Sequence, residues 1–190
     1  MEKNTDLRIQ KTYLALQNAF VALLEEKRFE ELTVNELCDR AMIRRTTFYK
    51  HFGDKYEYFA FYIRKMVSTF RDQLPPDVMD GEAAAYFLQM SQELLRFWHM
   101  HEKMVRNIEN SSMFPLLLSI LLDQITEDII LVLRRSCPDL AQDTGKLKGV
   151  AAFYAGGLIN TFFRCTQKDS SIDENAFLEI AAEYAAKIPL

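Results

Sequence analysis

A concentration of basic and hydroxyl side chains lies within residues 40–55. These sixteen residues hold five Lys or Arg and a single acidic residue, Asp54, while Thr46, Thr47 and Tyr49 add hydroxyl groups. Cations and hydroxyls donate hydrogen bonds to phosphate oxygens, and Arg, Lys and Thr can also read base edges. The segment therefore has the chemistry of a nucleic-acid contact, although a basic stretch is also common on a solvated helix face. The net charge of the chain is -4, so this positive character is local.

The elements that position these side chains are expected to be helices. Apolar residues recur at helical spacing along the chain and no stretch alternates like a strand, which predicts an all-α protein. A first helix is expected from about Asp6 to Lys27, because five apolar residues fall on one stripe at steps of four and three, namely Ile9, Tyr13, Leu16, Phe20 and Leu23.

The residues that follow predict two short helices joined by a turn. Thr33-Val34-Asn35-Glu36 has the form of a capping box, which places the start of a second helix at Val34 and its end near Ala41. A third helix fits residues 45–51, and Gly53-Asp54 then ends it and offers Asp54 as the cap of a fourth, from Lys55 to about Asp72.

Two short helices of this kind can lay the second one in a DNA major groove. Five apolar residues are expected to hold the pair against the first helix: Leu37, Ala41, Ile43, Phe48 and Phe52. Five others are expected to point outward: Thr46, Thr47, Tyr49, Lys50 and His51.

Residues 41–55, which read AMIRRTTFYKHFGDK, resemble the signature around the recognition helix of the TetR/AcrR family of bacterial transcriptional regulators. The resemblance extends upstream through Phe29 and Thr33 and covers about the first sixty residues, and the rest agrees only in helix number and length. It implies that Thr33 and Tyr49 bind phosphates and that Lys55 meets the DNA backbone. The groove-facing residues would be Arg45, Thr46, Thr47 and Lys50, and the expected DNA-binding set is completed by Arg44 and His51.

Two positions depart from the family pattern. Met42 stands where a turn glycine is common, so the turn either avoids a positive φ at this residue or tolerates some strain. Arg44 stands where a small capping residue is usual, and it adds a cation instead. Both departures are expected to alter which bases are read.

The remainder of the chain predicts longer helices. Pro75-Pro76 and Asp80-Gly81 mark a linker after the fourth helix. Helices are expected near residues 82–107, 113–135, 147–167 and 174–187, with loops between them. The expected division is a DNA-binding domain at 1–53, a connecting helix at 54–74, and a C-terminal domain for ligand binding and dimerisation at 75–190.

The C-terminal part is rich in aromatic residues, which either form its core or line a ligand cavity. In the resembled family a cavity among these helices is common, and aromatic walls with a few polar groups suit one. His101 shares a helical stripe with Trp98, so it is either a buried polar group or a pocket residue. The pocket candidates are Phe87, Leu94, Trp98, His101, Phe114, Phe153 and Tyr154. His99 and His101 are two residues apart, which does not suit a metal site on a helix.

Adjacent glycines in an apolar helix, Gly156 and Gly157, predict a close helix contact, because each costs about 1 kcal/mol of helix stability relative to alanine. In the resembled family the last two long helices form a four-helix bundle with those of a second copy. The expected dimer residues are Gly156, Gly157, Leu158, Phe162, Phe177, Ile180, Ala181 and Tyr184. Alternatively, these residues pack only within one subunit.

Other protein classes are disfavoured by the sequence. The most apolar run, residues 113–122, is much shorter than the roughly 20 residues that span a bilayer, and the polar N-terminus does not resemble a signal peptide, so a cytoplasmic protein is expected. The three cysteines are widely spaced and are interpreted as reduced thiols. No phosphate loop, nucleophile elbow or HExxH motif indicates an enzyme, and no cofactor or metal is expected.

The expected function is that of a homodimeric, sequence-specific regulator. It would act as a repressor that a small apolar or aromatic effector releases from a palindromic operator. The alternative is an adaptor of the same fold that binds a protein partner instead of DNA, which the acidic net charge favours.

Overall fold

The computed structural model describes residues 2–75, 78, 83–167 and 170–187, with side chains from residue 9 onward except at 185. Its elements are helices, as predicted. The chain forms two compact units, one of residues 1–63 with 101–117 and one of residues 64–100 with 118–190. In the part that is described, no helix is both long and apolar enough to cross a membrane.

The first unit contains the predicted short helices. Helix α1 spans Glu2–Glu26 and is followed by a 3₁₀ turn at Phe29–Glu31. Helices α2 and α3 span Val34–Arg40 and Arg45–His51, and α4 starts in this unit and spans Lys55–Gln73. The expected bounds of α3 are confirmed to the residue. The core of the unit includes Leu16, Phe20, Phe29, Leu37, Phe48 and Tyr58, each at most 1% exposed.

The later helices are long, with one exception. Helix α5 spans Ala83–Glu109, α6 Phe114–Ser136, α8 Thr144–Cys165 and α9 Glu174–Ala185. The expected loop between α6 and α8 is wrong in part, because Pro138–Gln142 forms the short helix α7. Pro138 suits its first turn, and five residues are too few to show a helical period in the sequence. The predicted linker turn at Asp80-Gly81 lies outside the described residues.

Helix α5 is kinked at His101, whose φ of -133° and ψ of 33° are not helical. The sequence predicted an uninterrupted helix here. The kink lies where α5 passes from one compact unit to the other, since residues 64–100 and 101–117 belong to different units. Beyond the kink, the Asn107 side-chain amide donates to the Leu24 carbonyl (2.7 Å), which fixes the end of α5 to α1.

Candidate nucleic-acid interface

The start of α2 is held by the predicted capping box. The Thr33 hydroxyl accepts from the Glu36 backbone N–H (3.2 Å), and the Glu36 carboxylate accepts from the Thr33 backbone N–H (3.0 Å). The same carboxylate binds the Lys27 ammonium. This ion pair, together with the Thr33 bonds, lowers the pKa of Glu36 to about 2. The ionised form of Glu36 therefore stabilises the start of α2.

The turn between α2 and α3 has a left-handed residue at Met42, with φ at 54°. The sequence left open a turn without a positive φ at residue 42 and a turn that tolerates strain there, and the structure has the strained turn. The backbone N–H of Met42 donates to the Asp39 carbonyl (3.2 Å), and that of Ile43 donates to the Cys38 carbonyl (3.0 Å), so the turn closes the end of α2. The Met42 side chain is 92% exposed.

Helix α3 begins without a side-chain cap, as expected for Arg44. The carbonyl of Arg44 instead accepts from the backbone N–H groups of Thr47 (2.9 Å) and Phe48 (3.2 Å). Because its side chain is not engaged in capping, Arg44 presents its guanidinium at the exposed start of the helix.

The outer face of α3 is cationic and polar. Phe48 is fully buried and anchors the inner face. The exposed residues are Arg44, Arg45, Thr46, Tyr49 and Lys50, while Thr47 and His51 are half-buried. In the described part of the chain no carboxylate lies within ion-pair distance of Arg44, Arg45 or Lys50, whereas nearby Arg40 pairs with Glu26 (2.7 Å). Three exposed cations around one short helix, without a carboxylate partner, make a site for an anion.

Two of the expected phosphate contacts are engaged within the protein. The Lys55 ammonium donates to three carbonyl oxygens, those of Phe29 (3.0 Å), Glu30 (2.9 Å) and Leu32 (2.7 Å), and burial lowers its pKa. Since an ammonium has three donors, this residue closes the 3₁₀ turn and would have to break a bond to reach a phosphate. The Thr33 hydroxyl likewise donates to Glu36 (2.9 Å). Their DNA contacts stay predictions.

His51 ends α3 beside the aromatic cluster of the first unit. Its Nδ1 lies 3.4 Å from the hydroxyl of Tyr13 on α1, and the two rings meet edge to face with centroids 5.5 Å apart. Sequence reasoning assigned Tyr13 only to the apolar stripe of α1. The 38 residues that separate the pair explain why local patterns did not reveal the contact.

The second unit carries an apolar groove of about 220 Å³ between α8 and α9. Three of the expected pocket residues line it, namely Phe87, Phe153 and Tyr154. Six of the expected dimer residues line it as well, namely Gly157, Leu158, Phe177, Ile180, Ala181 and Tyr184. Gly156 and Phe162 lie on α8 outside this lining. Residues predicted for a ligand pocket and residues predicted for a dimer interface therefore line the same groove.

The remaining pocket candidates are not part of this groove. Leu94 and Trp98 are both 6% exposed in the core of the second unit. His101 and Phe114 belong to the first unit, where His101 lies at the kink with its Nδ1 3.4 Å from Glu25. His99 pairs instead with Glu174 (3.1 Å). The expected stripe of Trp98 and His101 is interrupted, because the φ and ψ of His101 are not helical.

Among the described residues, no other element of the chain packs closely against the paired glycines. A Cβ built on Gly156 or Gly157 would meet nothing within 4 Å. Beside them on the surface, Phe153 is 77% exposed and Tyr184 57% exposed. The alternative, in which these residues pack only within one subunit, gains no support at the two glycines, and the expected contact with a second copy stays a prediction.

Comparison with known proteins agrees with the geometry of α1–α4. Residues 18–60 match the model of the family described as bacterial regulatory proteins, tetR family. The uncharacterized HTH-type transcriptional regulator YxbF of Bacillus subtilis (strain 168) is 35% identical over 74 residues, which make up 38% of this chain and 20% of that protein. The chain thus matches about a fifth of the length of this curated relative.

The fold extends the similarity beyond the first helices. The solved structure of the dihydroxyacetone kinase operon activator DhaS superposes with a TM-score of 0.65 at 15% sequence identity, over 93% of this chain and 96% of that one. The family match, the relative and the shared fold agree with the helix-turn-helix described above, and residues 18–60 of the chain are similar to the TetR family of bacterial regulatory proteins.

Proposed function

We propose that the protein is a transcriptional regulator that binds double-stranded DNA with α3 in the major groove. The observation that carries the proposal is that the exposed cations of α3 and its N-cap, Arg44, Arg45 and Lys50, have no carboxylate partner in the described part of the chain. Phe48 is fully buried and anchors α3 to the core of its unit, so the helix is held in place while these cations stay exposed. Such a regulator would act in the cytoplasm, where the bacterial chromosome lies, and no enzymatic activity is part of the proposal.

The exposed residues of α3 divide into two roles. Arg45, Thr46 and Thr47 lie in its first turn, and the N-terminal residues of a recognition helix meet base edges. Tyr49 and Lys50 lie further along and suit phosphate oxygens, which position a protein without reading sequence. We therefore assign specificity to the first group and general affinity to the second.

The first prediction tests these roles with three substitutions. Arg45→Ala is expected to weaken the binding free energy by roughly 1–3 kcal/mol on the preferred operator and by much less on unrelated duplexes. Lys50→Ala is expected to weaken binding to all duplexes by a similar factor. It should also lower, by about one unit, the steepness with which the logarithm of the binding constant falls with the logarithm of the salt concentration. Arg40→Ala is the control, because Arg40 is already paired with Glu26 and should leave affinity unchanged. Selection of bound sites from genomic DNA supplies the operator.

The outcome that contradicts the assignment is defined by the same titrations. If Arg45→Ala and Lys50→Ala change specific and non-specific binding alike, α3 does not read sequence. If the wild-type chain shows no preference among random duplexes at moderate salt, the proposal of an operator fails.

We further propose that two copies assemble through the groove between α8 and α9. The groove volume of about 220 Å³ is below the roughly 300–1,000 Å³ of ordinary small-molecule sites, so side chains of a second copy are the better occupant. Gly157 supports this, since a residue without a side chain on an exposed helix face permits the close approach of another helix. A two-fold dimer presents two copies of α3, so the operator should be a palindrome.

Repression and effector release complete the proposal. A dimer bound across a promoter blocks polymerase. A small apolar or aromatic effector that binds more tightly to another arrangement of the two copies lowers the affinity for the operator, to the extent that its affinities for the two arrangements differ. The buried Trp98 is the only tryptophan, so effectors can be sought by its fluorescence and then tested for operator release. A transcription assay on the selected operator, with and without the compound, measures the direction of regulation.

The acidic net charge of -4 favours a second candidate, an adaptor that binds a protein through the same face. A salt titration separates the two. Neutralised phosphates release counterions and give a steep loss of affinity with salt, whereas a protein contact has no such requirement.

A further inference from the structure

The imidazole of His51 is held from one side by Tyr13. The Tyr13 hydroxyl oxygen lies 3.4 Å from Nδ1, and the phenol ring is itself fixed by Phe52 and Phe61, with centroids at 6.0 Å and 5.2 Å. In the described part of the chain, Tyr13 is the hydrogen-bond partner that the structure shows for this imidazole, and it engages Nδ1 alone. His51 is half-buried, and among the described residues the structure shows no hydrogen bond at its other ring nitrogen, Nε2.

This contact bears on where the proton of a neutral His51 resides. A neutral imidazole carries one proton, on either nitrogen, and the hydrogen bond made by one nitrogen decides the state of the other. A phenol is a good donor and an unprotonated ring nitrogen is a good acceptor. When the Tyr13 hydroxyl donates to Nδ1, the proton lies on Nε2, which then carries the N–H donor.

We propose that Tyr13 is a positioning residue for DNA binding, whose hydroxyl keeps the proton of His51 on Nε2 so that this N–H donates to a phosphate oxygen of the duplex. The inference rests on the proposed function. His51 is the last residue of α3, and a helix that meets base edges with its N-terminal residues brings its other end toward the sugar-phosphate backbone. A phosphate oxygen only accepts, so the other tautomer of His51 would offer it no donor there.

The role of Tyr13 should depend on pH. When the imidazole gains a second proton both nitrogens are donors, so Nε2 carries its proton without help from Tyr13. The rings in contact with the imidazole are those of Tyr13 from α1 and Phe52 from the segment before α4, and the adjacent charged residue of α3 is Lys50.

The second prediction compares wild type with Tyr13→Phe on a random-sequence duplex at fixed low salt. A random duplex suffices because a phosphate contact is independent of sequence. Phenylalanine keeps the ring contacts and removes only the hydroxyl. At about pH 8 the variant is expected to bind roughly three- to tenfold more weakly, the range of one hydrogen bond. At a lower pH, chosen so that nitrogen-15 shifts of the ring show both nitrogens protonated, the two should agree within about twofold.

Two further measurements isolate the mechanism. In a His51→Ala background, Tyr13→Phe should change affinity at neither pH, since the side chain that it positions is gone. Nitrogen-15 shifts of the His51 ring at about pH 8 should show the proton on Nε2 in the wild type and a mixture of tautomers in Tyr13→Phe. The ratio of variant to wild type cancels effects of pH on the other residues, which both proteins share.

The possible outcomes separate this inference from the proposed function. An equal loss at both pH values shows a merely structural role for Tyr13 and overturns the inference. A wild-type ring with its proton on Nδ1 also overturns it, and in both cases DNA binding itself stands. A wild-type chain that does not bind duplex DNA at all overturns the proposed function and the inference with it.

Discussion

Met42 is a residue whose backbone strain has no evident packing benefit. Its φ of 54° is costly for a residue with a β-carbon, by about 1–2 kcal/mol, and its side chain is 92% exposed. The third prediction is that Met42→Gly raises the free energy of unfolding by up to about 1 kcal/mol, because relief of the strain exceeds the entropic cost of glycine in the unfolded chain. Denaturant unfolding measures it. Met42→Ala keeps the β-carbon and is the control, so an equal gain with alanine would contradict strain as the cause.

The element α2 depends on the ionised side chain of Glu36, which connects its start to Lys27 and Thr33. The ion pair with Lys27 and the bonds from Thr33 hold the pKa of Glu36 at about 2, below its ordinary value of 4.5. The stabilisation is therefore present above pH 4.5 and is lost as the pH falls toward 2. The fourth prediction is that Glu36→Gln destabilises the protein at neutral pH and that this deficit shrinks over that range, as measured by urea unfolding at several pH values. Glu31→Gln, on the adjacent 3₁₀ turn, is the control, and a deficit that does not vary with pH would contradict the role of the ionised form.

At the scale of the whole molecule, the proposed dimer leads to the fifth prediction. Gly157→Leu should produce monomers, because the new side chain points into space that the chain itself leaves open and that a second copy would need. The monomer fold should be kept or slightly stabilised, since leucine is a better helix former than glycine by nearly 1 kcal/mol. Leu131→Glu changes another exposed apolar residue, on α6, and should remain dimeric. Sedimentation at micromolar concentration measures both, and a wild-type monomer would refute the dimer.

The sequence by itself determined the features that arise from neighbours along the chain. The capping box needs only residues 33 and 36, the Asp54 cap reaches the backbone N–H groups of Tyr56 and Glu57 (2.8 Å each), and the bounds of α3 follow from the flanking breakers. The outward face of α3 was predictable too, because Phe48 selects the inner face by its hydrophobicity. These interactions span at most one helical turn, so a linear pattern contains them.

Only the tertiary structure decided which distant groups meet. The Lys55 ammonium is engaged by carbonyls 23 to 26 residues away, and the Tyr13 hydroxyl reaches a ring nitrogen 38 residues away. Periodicity predicted that Tyr13 faces inward and that Lys55 begins a helix, but an amphipathic pattern specifies a face and not a partner. The kink at His101 and the empty space around Gly157 likewise depend on how helices are placed against one another, because packing distances and helix directions are properties of the assembled core.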